Sequence, residues 1–202
     1  MTSRRRDGNP GAEDAKRLCA ADWVEAGLAA LAQESQTGLR VERLATTLGA
    51  TKGSFYWHFR DRSELEAAIL DVWDERSTKA ILAQVAGPER AEDRLRRLGR
   101  LVTDAAEPGQ LFEIERAIRA WATFDPVVAE RITSVDLERL GAISALFREC
   151  GFGRSDADLR ARIFAYYVAG EALSYPRLPL ARRRRLAEKR IDLLLSVSTP
   201  SL

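Results

Sequence analysis

Apolar residues recur along this chain three and four positions apart, and glycine and proline fall between the recurring segments. Alternation of β-branched residues is nearly absent, while Ala, Leu, Arg and Glu dominate. Such a chain can bury a stripe along a helix but offers no half-buried face to a sheet, so an all-α fold is expected. The first helix is predicted from Asp22 to Ser35, opened by an Asp22-x-x-Glu25 capping box. A short second helix carries Val41, Leu44, Ala45 and Leu48 and ends at Gly49, where a left-handed cap is wanted. Thr51 suits the cap of a third helix, and Asp61-x-x-Glu64 opens a long fourth one with Leu65, Ile69, Val72 and Trp73 inward. Five more helices are predicted over 88–105, 109–123, 126–150, 155–174 and 181–197, with Pro88, Pro108 and Pro126 in first turns.

The bulk composition narrows the function. Hydrophobic residues at 46% and charged residues at 31% belong to a packed chain, and a net charge of +2 confines any nucleic-acid signal to a patch. Cys19 and Cys150 are far apart and lack CxxC partners, which argues against a disulfide or zinc site and for a reducing compartment. The start, MTSRRRDGNPGAEDAKR, has no apolar stretch behind its charges, and no run reaches the roughly 18 apolar residues of a membrane span. A cytoplasmic location is expected. His58 is the only histidine, with no metal partner at i+4, and no GxSxG is present. No metal, cofactor or enzymatic activity is expected.

One stretch does not fit a core. In LATTLGATKGSFYWHF five consecutive large side chains follow Thr51-Lys52-Gly53-Ser54. Successive helical residues are about 100° apart, so Phe55 to Phe59 cover the whole circumference. Phe55 and Phe59 can pack on Leu44, Leu48 and Leu65; Lys52, Ser54, Tyr56, Trp57 and His58 then face outward or half outward. Two short helices joined by a glycine-containing turn, packed on a preceding helix, form a helix-turn-helix, whose second helix enters a major groove. Rings with polar tips suit a phosphate-lined groove. Residues 40 to 62 carry five basic residues against two acidic ones, a local charge of +3.

GATKGSFYWHFRDRSEL resembles the signature of the tetracycline-repressor family of bacterial transcriptional regulators. The resemblance covers about Asp22 to Trp73 through Leu44-Ala45, Gly49, Lys52-Gly53-Ser54, Tyr56-x-His58-Phe59 and Arg62. It implies a homodimer on a palindromic double-stranded operator, released when a small ligand enters the C-terminal region. By position, Ser54, Tyr56, His58 and Arg62 correspond to phosphate contacts, and Thr51, Lys52, Gly53 and Trp57 to the groove-facing group. Arg40 stands where many members have a capping Thr; it cannot cap through an oxygen but can reach a phosphate, as can Arg43.

The expected organisation is an arm over residues 1–20, a DNA-binding head over 21–66 and a helical regulatory and dimerisation body over 67–202. Arg4-Arg5-Arg6 reads either as a solubilising tail or as an arm reaching a minor groove, and Arg182 to Arg185 reads as a solvated face. Leu159, Ile163, Tyr166, Gly170 and Leu173 form one apolar stripe, and Leu186, Ile191, Leu194 and Val197 another. Paired with symmetry mates they would give a four-helix dimer interface. Trp73, Phe112, Trp121, Phe124, Phe147 and Tyr167 are candidate ligand contacts. Two other readings remain at this stage: a helical small-molecule carrier without DNA preference, and a non-specific architectural DNA binder.

Overall fold

The computed structural model describes residues 18–106, 110–173 and 178–196, and all its regular structure is helical. The arginines of the N-terminal arm, Pro108 and Val197 lie outside the described residues, as does the side chain of Leu173.

Helix α1 (Ala20–Glu34) starts earlier than expected. The Asp22 carboxylate accepts the Cys19 backbone N–H at 2.7 Å, so Asp22 closes the first turn rather than opening it. Glu25 is thereby released from capping and pairs with Arg76, just beyond the fourth helix. A 3₁₀ turn, Ser35–Gly38, leads to α2 (Val41–Thr47). Arg40 caps α2 by backbone alone, as its side chain dictates. The turn after α2 closes through Ala50 N–H to the Ala45 carbonyl at 2.8 Å and Gly49 N–H to the Thr46 carbonyl at 3.2 Å. Gly49 has φ +62°, the left-handed conformation this closure requires.

Helix α3 (Lys52–Tyr56) is short and capped as expected, with the Thr51 hydroxyl accepting the Ser54 N–H at 3.2 Å. Helix α4 (Arg62–Asp74) is capped by Asp61, which accepts the Glu64 N–H at 3.0 Å. Glu64 reaches back one residue further than a capping box predicts, to the Arg60 N–H at 2.7 Å. The long fourth helix is then interrupted by a π-helical turn, Glu75–Lys79, before α5 (Ala80–Val85). Helices α6 (Ala91–Ala105), α7 (Gln110–Trp121), α8 (Pro126–Glu149), α9 (Arg154–Leu173) and α10 (Leu180–Ser196) complete the chain. Asp125 caps α8 with Pro126 in its first turn, and the indole N–H of Trp121 donates to that same carboxylate at 3.0 Å.

Two apolar cores result. The first joins Trp23, Leu28 and Leu31 of α1, Leu44 of α2, Phe55 of α3 and Leu65, Ile69 and Trp73 of α4. Ile114, Ile118 and Trp121 of α7 and Val128, Ile132 and Val135 of α8 belong to it too. The boundary expected at residue 66 therefore falls inside a continuous core. The second gathers Leu95 and Leu98 of α6, Ile143 and Phe147 of α8, Phe164 of α9 and Ile191 and Leu194 of α10. Helix α8 spans both; between its two buried stretches stand Asp136 and Arg139.

The arginine run on α10 is not a uniform solvated face. Arg183 is buried, donating to Glu171 at 3.1 Å and to the Thr103 carbonyl at 3.2 Å, while Arg184 reaches Asp104 at 2.8 Å. Arg182 and Arg185 are exposed. The run spans more than one turn, so a period of 3.6 carries one member inward.

Gly27 sets how closely α1 approaches α4: a Cβ there would lie 2.6 Å from Ile69 Cδ1. Gly27→Val should cost about 2 kcal/mol through overpacking and lower Tm by roughly 4–8 °C in calorimetry. An unchanged Tm would mean that the two helices separate without cost.

Candidate nucleic-acid interface

The ring packing of α3 decides which of its residues face outward. Phe55 is fully buried, edge-on to Trp23 at 5.3 Å and stacked on Phe59 at 5.4 Å between centroids. With those two rings anchored, Tyr56 is 60% exposed and Trp57 87%. Thr51, Lys52 and Gly53 are exposed at the start of the same helix, and Ser54 and His58 are half-buried beside them. Arg40 is exposed at the N-cap of α2 and Arg43 within its first turn, and Arg62 is half-buried in the first turn of α4. The ten residues singled out from sequence thus stand on α2, α3, the start of α4 and the segments capping them. An added Cβ on Gly53 would meet only the Thr51 hydroxyl oxygen, at 3.6 Å, so the fold itself does not demand glycine there.

The electrostatics of this face are less open than the basic count suggests. Lys52 Nζ lies 2.5 Å from Glu42, Arg62 Nε 2.7 Å from Glu66 and Arg60 Nε 3.2 Å from Glu64, and Arg43 pairs with Glu34. The hydrogen bond from Lys52 holds the Glu42 carboxyl below its ordinary range, and the Arg60 N–H does the same for Glu64. Burial pushes Glu66 up, against the pull of Arg62. The pairs within residues 60–66 follow from i,i+4 spacing. The other two join separate elements and have no signature in the sequence.

Residues 24–69 match the family model described as bacterial regulatory proteins, tetR family. The head belongs to the tetR family. No curated protein matches the sequence. Solved structures share its fold. A transcriptional regulator from Rhodococcus sp. Rha1 superposes with TM-score 0.75 at 20% identity, over 88% of this chain and 96% of that one. A structure from Saccharomonospora viridis in complex with choline gives 0.73 at 15% identity, over 86% and 95%. AibR in complex with isovaleryl coenzyme A and operator DNA gives 0.69 at 18% identity, over 89% and 98%. The tetR-regulator architecture, helix-turn-helix head and helical body together, is the fold of this chain.

The candidate ligand residues do not converge. Trp73 and Trp121 are buried in the first core and Phe147 in the second, Phe112 is buried on α7, and Tyr167 is half exposed on α9. Phe124 is 91% exposed in the bend between α7 and α8. The candidate interface residues divide as well. Leu159, Ile163, Tyr166 and Gly170 lie on the outer face of α9, whereas Ile191 and Leu194 point into the second core and Leu186 is half-buried. The outward apolar residue of α10 is Leu193, which the expected stripe leaves out.

A polar junction ties α4 and the π-helical turn after it to α7 and α8. The Trp73 indole N–H donates to Glu115 at 2.7 Å. Arg119 donates to Glu115 at 2.8 Å and bidentately to Asp136 at 2.8 and 3.0 Å. Arg139 donates to Glu115 at 3.1 Å and to Ser77 and Thr78 of the π-helical turn, each at 2.9 Å. Burial alone would raise the Glu115 pKa; Arg139, Arg119 and the indole N–H outweigh it and hold the carboxylate below its ordinary value. A depressed folded pKa means that the unfolded chain binds the proton more tightly. The stabilisation is therefore complete above the unfolded value of 4.5 and fades as pH falls below it. Glu115→Gln should lose about 2 kcal/mol at neutral pH, because the part-buried Arg119 and Arg139 then share Asp136 alone. In denaturant melts its stability should also fall less on acidification than that of the wild type.

Proposed function

We propose that the chain is a homodimeric repressor, occupying a palindromic operator through α3 and its neighbours and released by a small molecule bound in the body. The observation that carries the DNA-reading part is the exposure of Tyr56 and Trp57 beside Lys52, on a helix whose other two rings are locked inside. A large apolar ring held in water is unfavourable, and a groove gives it both a cover and a hydrogen-bonding wall. Arg40, Arg43, Ser54, His58 and Arg62 serve as phosphate contacts in this reading. Thr51, Lys52, Gly53 and Trp57 lie against base edges or the groove floor. AibR, of the same fold, has been solved on operator DNA.

Dimerisation is supported by α9. It buries Ala157, Ala161 and Phe164 on one side and leaves Leu159, Ile163 and Tyr166 exposed on the other. A helix apolar on two faces is covered on two faces. Gly170, with open space where a Cβ would stand, lets a second backbone approach. Leu193 extends the patch onto α10. Ligand release is supported by the choline and isovaleryl coenzyme A complexes of similar structures. It requires a ligand that prefers the non-binding conformation of the protein.

Selection from random duplex DNA at near-physiological salt tests the reading directly. It should enrich a palindrome with half-site centres about 34 Å apart, one helical turn. Adding choline or isovaleryl coenzyme A to the selected complex then assays release. Tyr56→Ala should weaken operator binding by about tenfold while lowering Tm only slightly, since its ring is mostly exposed and meets the core only edge-on at Phe55, 5.2 Å between centroids. Undiminished affinity would overturn the assignment of this face. Ile163→Arg should convert a sedimenting dimer to monomer while far-ultraviolet circular dichroism stays helical, because a charge on each side of a two-fold axis meets its own copy.

A further inference from the structure

From residue 34 to residue 66 the chain carries five basic and five acidic side chains, so the whole reading unit is neutral. Four of the five cations hold a carboxylate: Arg43 with Glu34, Lys52 with Glu42, Arg60 with Glu64 and Arg62 with Glu66. Neutralised phosphates supply most of the sequence-independent affinity for DNA, so a unit built only to hold a polyanion gains nothing from these acids.

Glu42 suits the N-terminal dipole of α2, and it is the one of these acids that holds a cation of α3. Its carboxylate meets Lys52 at 2.5 Å, and both side chains are more than half exposed. An exposed ion pair of this kind adds little to stability. Glu42 lies in the first turn of α2 and Lys52 in the first turn of α3, so the pair closes across the mouth of the helix-turn-helix beside Tyr56 and Trp57. Glu64, by contrast, accepts the Arg60 backbone N–H, and Glu66 is largely buried.

The geometry points to Glu42 as a specificity-positioning residue, which holds the Lys52 ammonium against random phosphate contacts and yields it only where the DNA surface offers a better acceptor. This rests on the reading of α3 as the DNA-reading helix. A lysine stem is flexible, and unpaired it would find a phosphate on almost any duplex. With Glu42 in place, each random contact must exchange one anion for another while a second negative charge faces the phosphates. On the operator, Tyr56 and Trp57 bring the duplex into one register, and Lys52 can then exchange Glu42 for a fixed acceptor. Specificity is a difference of affinities, and an acid that weakens the wrong complexes raises it without a new contact.

The test compares wild type, Glu42→Gln, Lys52→Ala and the double variant on the selected operator and on a random duplex of equal length, over a range of salt. Glu42→Gln should tighten random-duplex binding about fivefold and steepen its salt dependence by about one unit of log–log slope, as one more phosphate contact requires. Operator affinity should change less than about twofold, so the discrimination ratio falls. On the Lys52→Ala background the same change should leave random-duplex affinity within about twofold, because the residue through which Glu42 acts is gone. An equal gain on both duplexes, or an undiminished gain without Lys52, would overturn the inference and leave Glu42 a plain repelling charge. A wild-type protein that prefers no duplex in the pool would overturn the reading of α3, and this inference with it.

Discussion

The contact on which the head depends is that of Phe55 with Trp23. Helix α3 is only five residues long and too short to hold its own rotation about its axis. Its orientation comes instead from one ring driven edge-on against the indole of α1 and stacked on Phe59. Turning α3 by a single residue would withdraw Phe55 from the core and bury Tyr56 or Lys52. The Gly49 turn and the Thr51 cap set where the helix begins, and Phe55 sets which way it faces. Every proposed DNA contact on α3 inherits its direction from that packing.

The same first core extends from the head into α7 and the start of α8, so the head is not a module hung on a linker. What lies between this core and the second one is polar: Glu115, Arg119, Asp136 and Arg139, closed over Trp73 and the π-helical turn after α4. Two apolar cores joined by a charged, hydrogen-bonded layer can shift relative to each other only by breaking charged contacts, which favours discrete arrangements over continuous sliding. That mechanical character fits the release of DNA by a ligand in the body proposed above. It also explains why Trp73 is buried as a structural residue, its indole N–H satisfied by Glu115 rather than offered to a cavity.

Much of the head was legible because its determinants are local. The period of Val41, Leu44, Ala45 and Leu48, the glycine at a positive φ and the threonine three residues before the N–H it accepts all act within one or two turns. The in–out assignment of the aromatic run follows from the 100° step of a helix. Local rules also failed locally: Asp22 caps from inside the first turn, and Glu64 reaches Arg60 rather than Asp61, because carboxylates take whichever nearby N–H the chain leaves unpaired. The π-helical turn at Glu75–Lys79 had no signal in the apolar spacing, since its hydroxyls are held by Arg139 from a helix 60 residues away.

The sequence by itself determined the helical class, the helix-turn-helix and the set of residues on its outer face. Tertiary structure decided what those residues meet. It buried Ile191 and Leu194 in the second core and left Leu159 and Ile163 outside, although both stripes read as apolar helix faces. It turned Arg183 inward from a run of four like residues, and it set Glu42 against Lys52 and Glu34 against Arg43. The reason is physical. Periodicity states that a face is apolar or charged, but the free energy of that face depends on which surface covers it, and the covering surface comes from elsewhere in the chain.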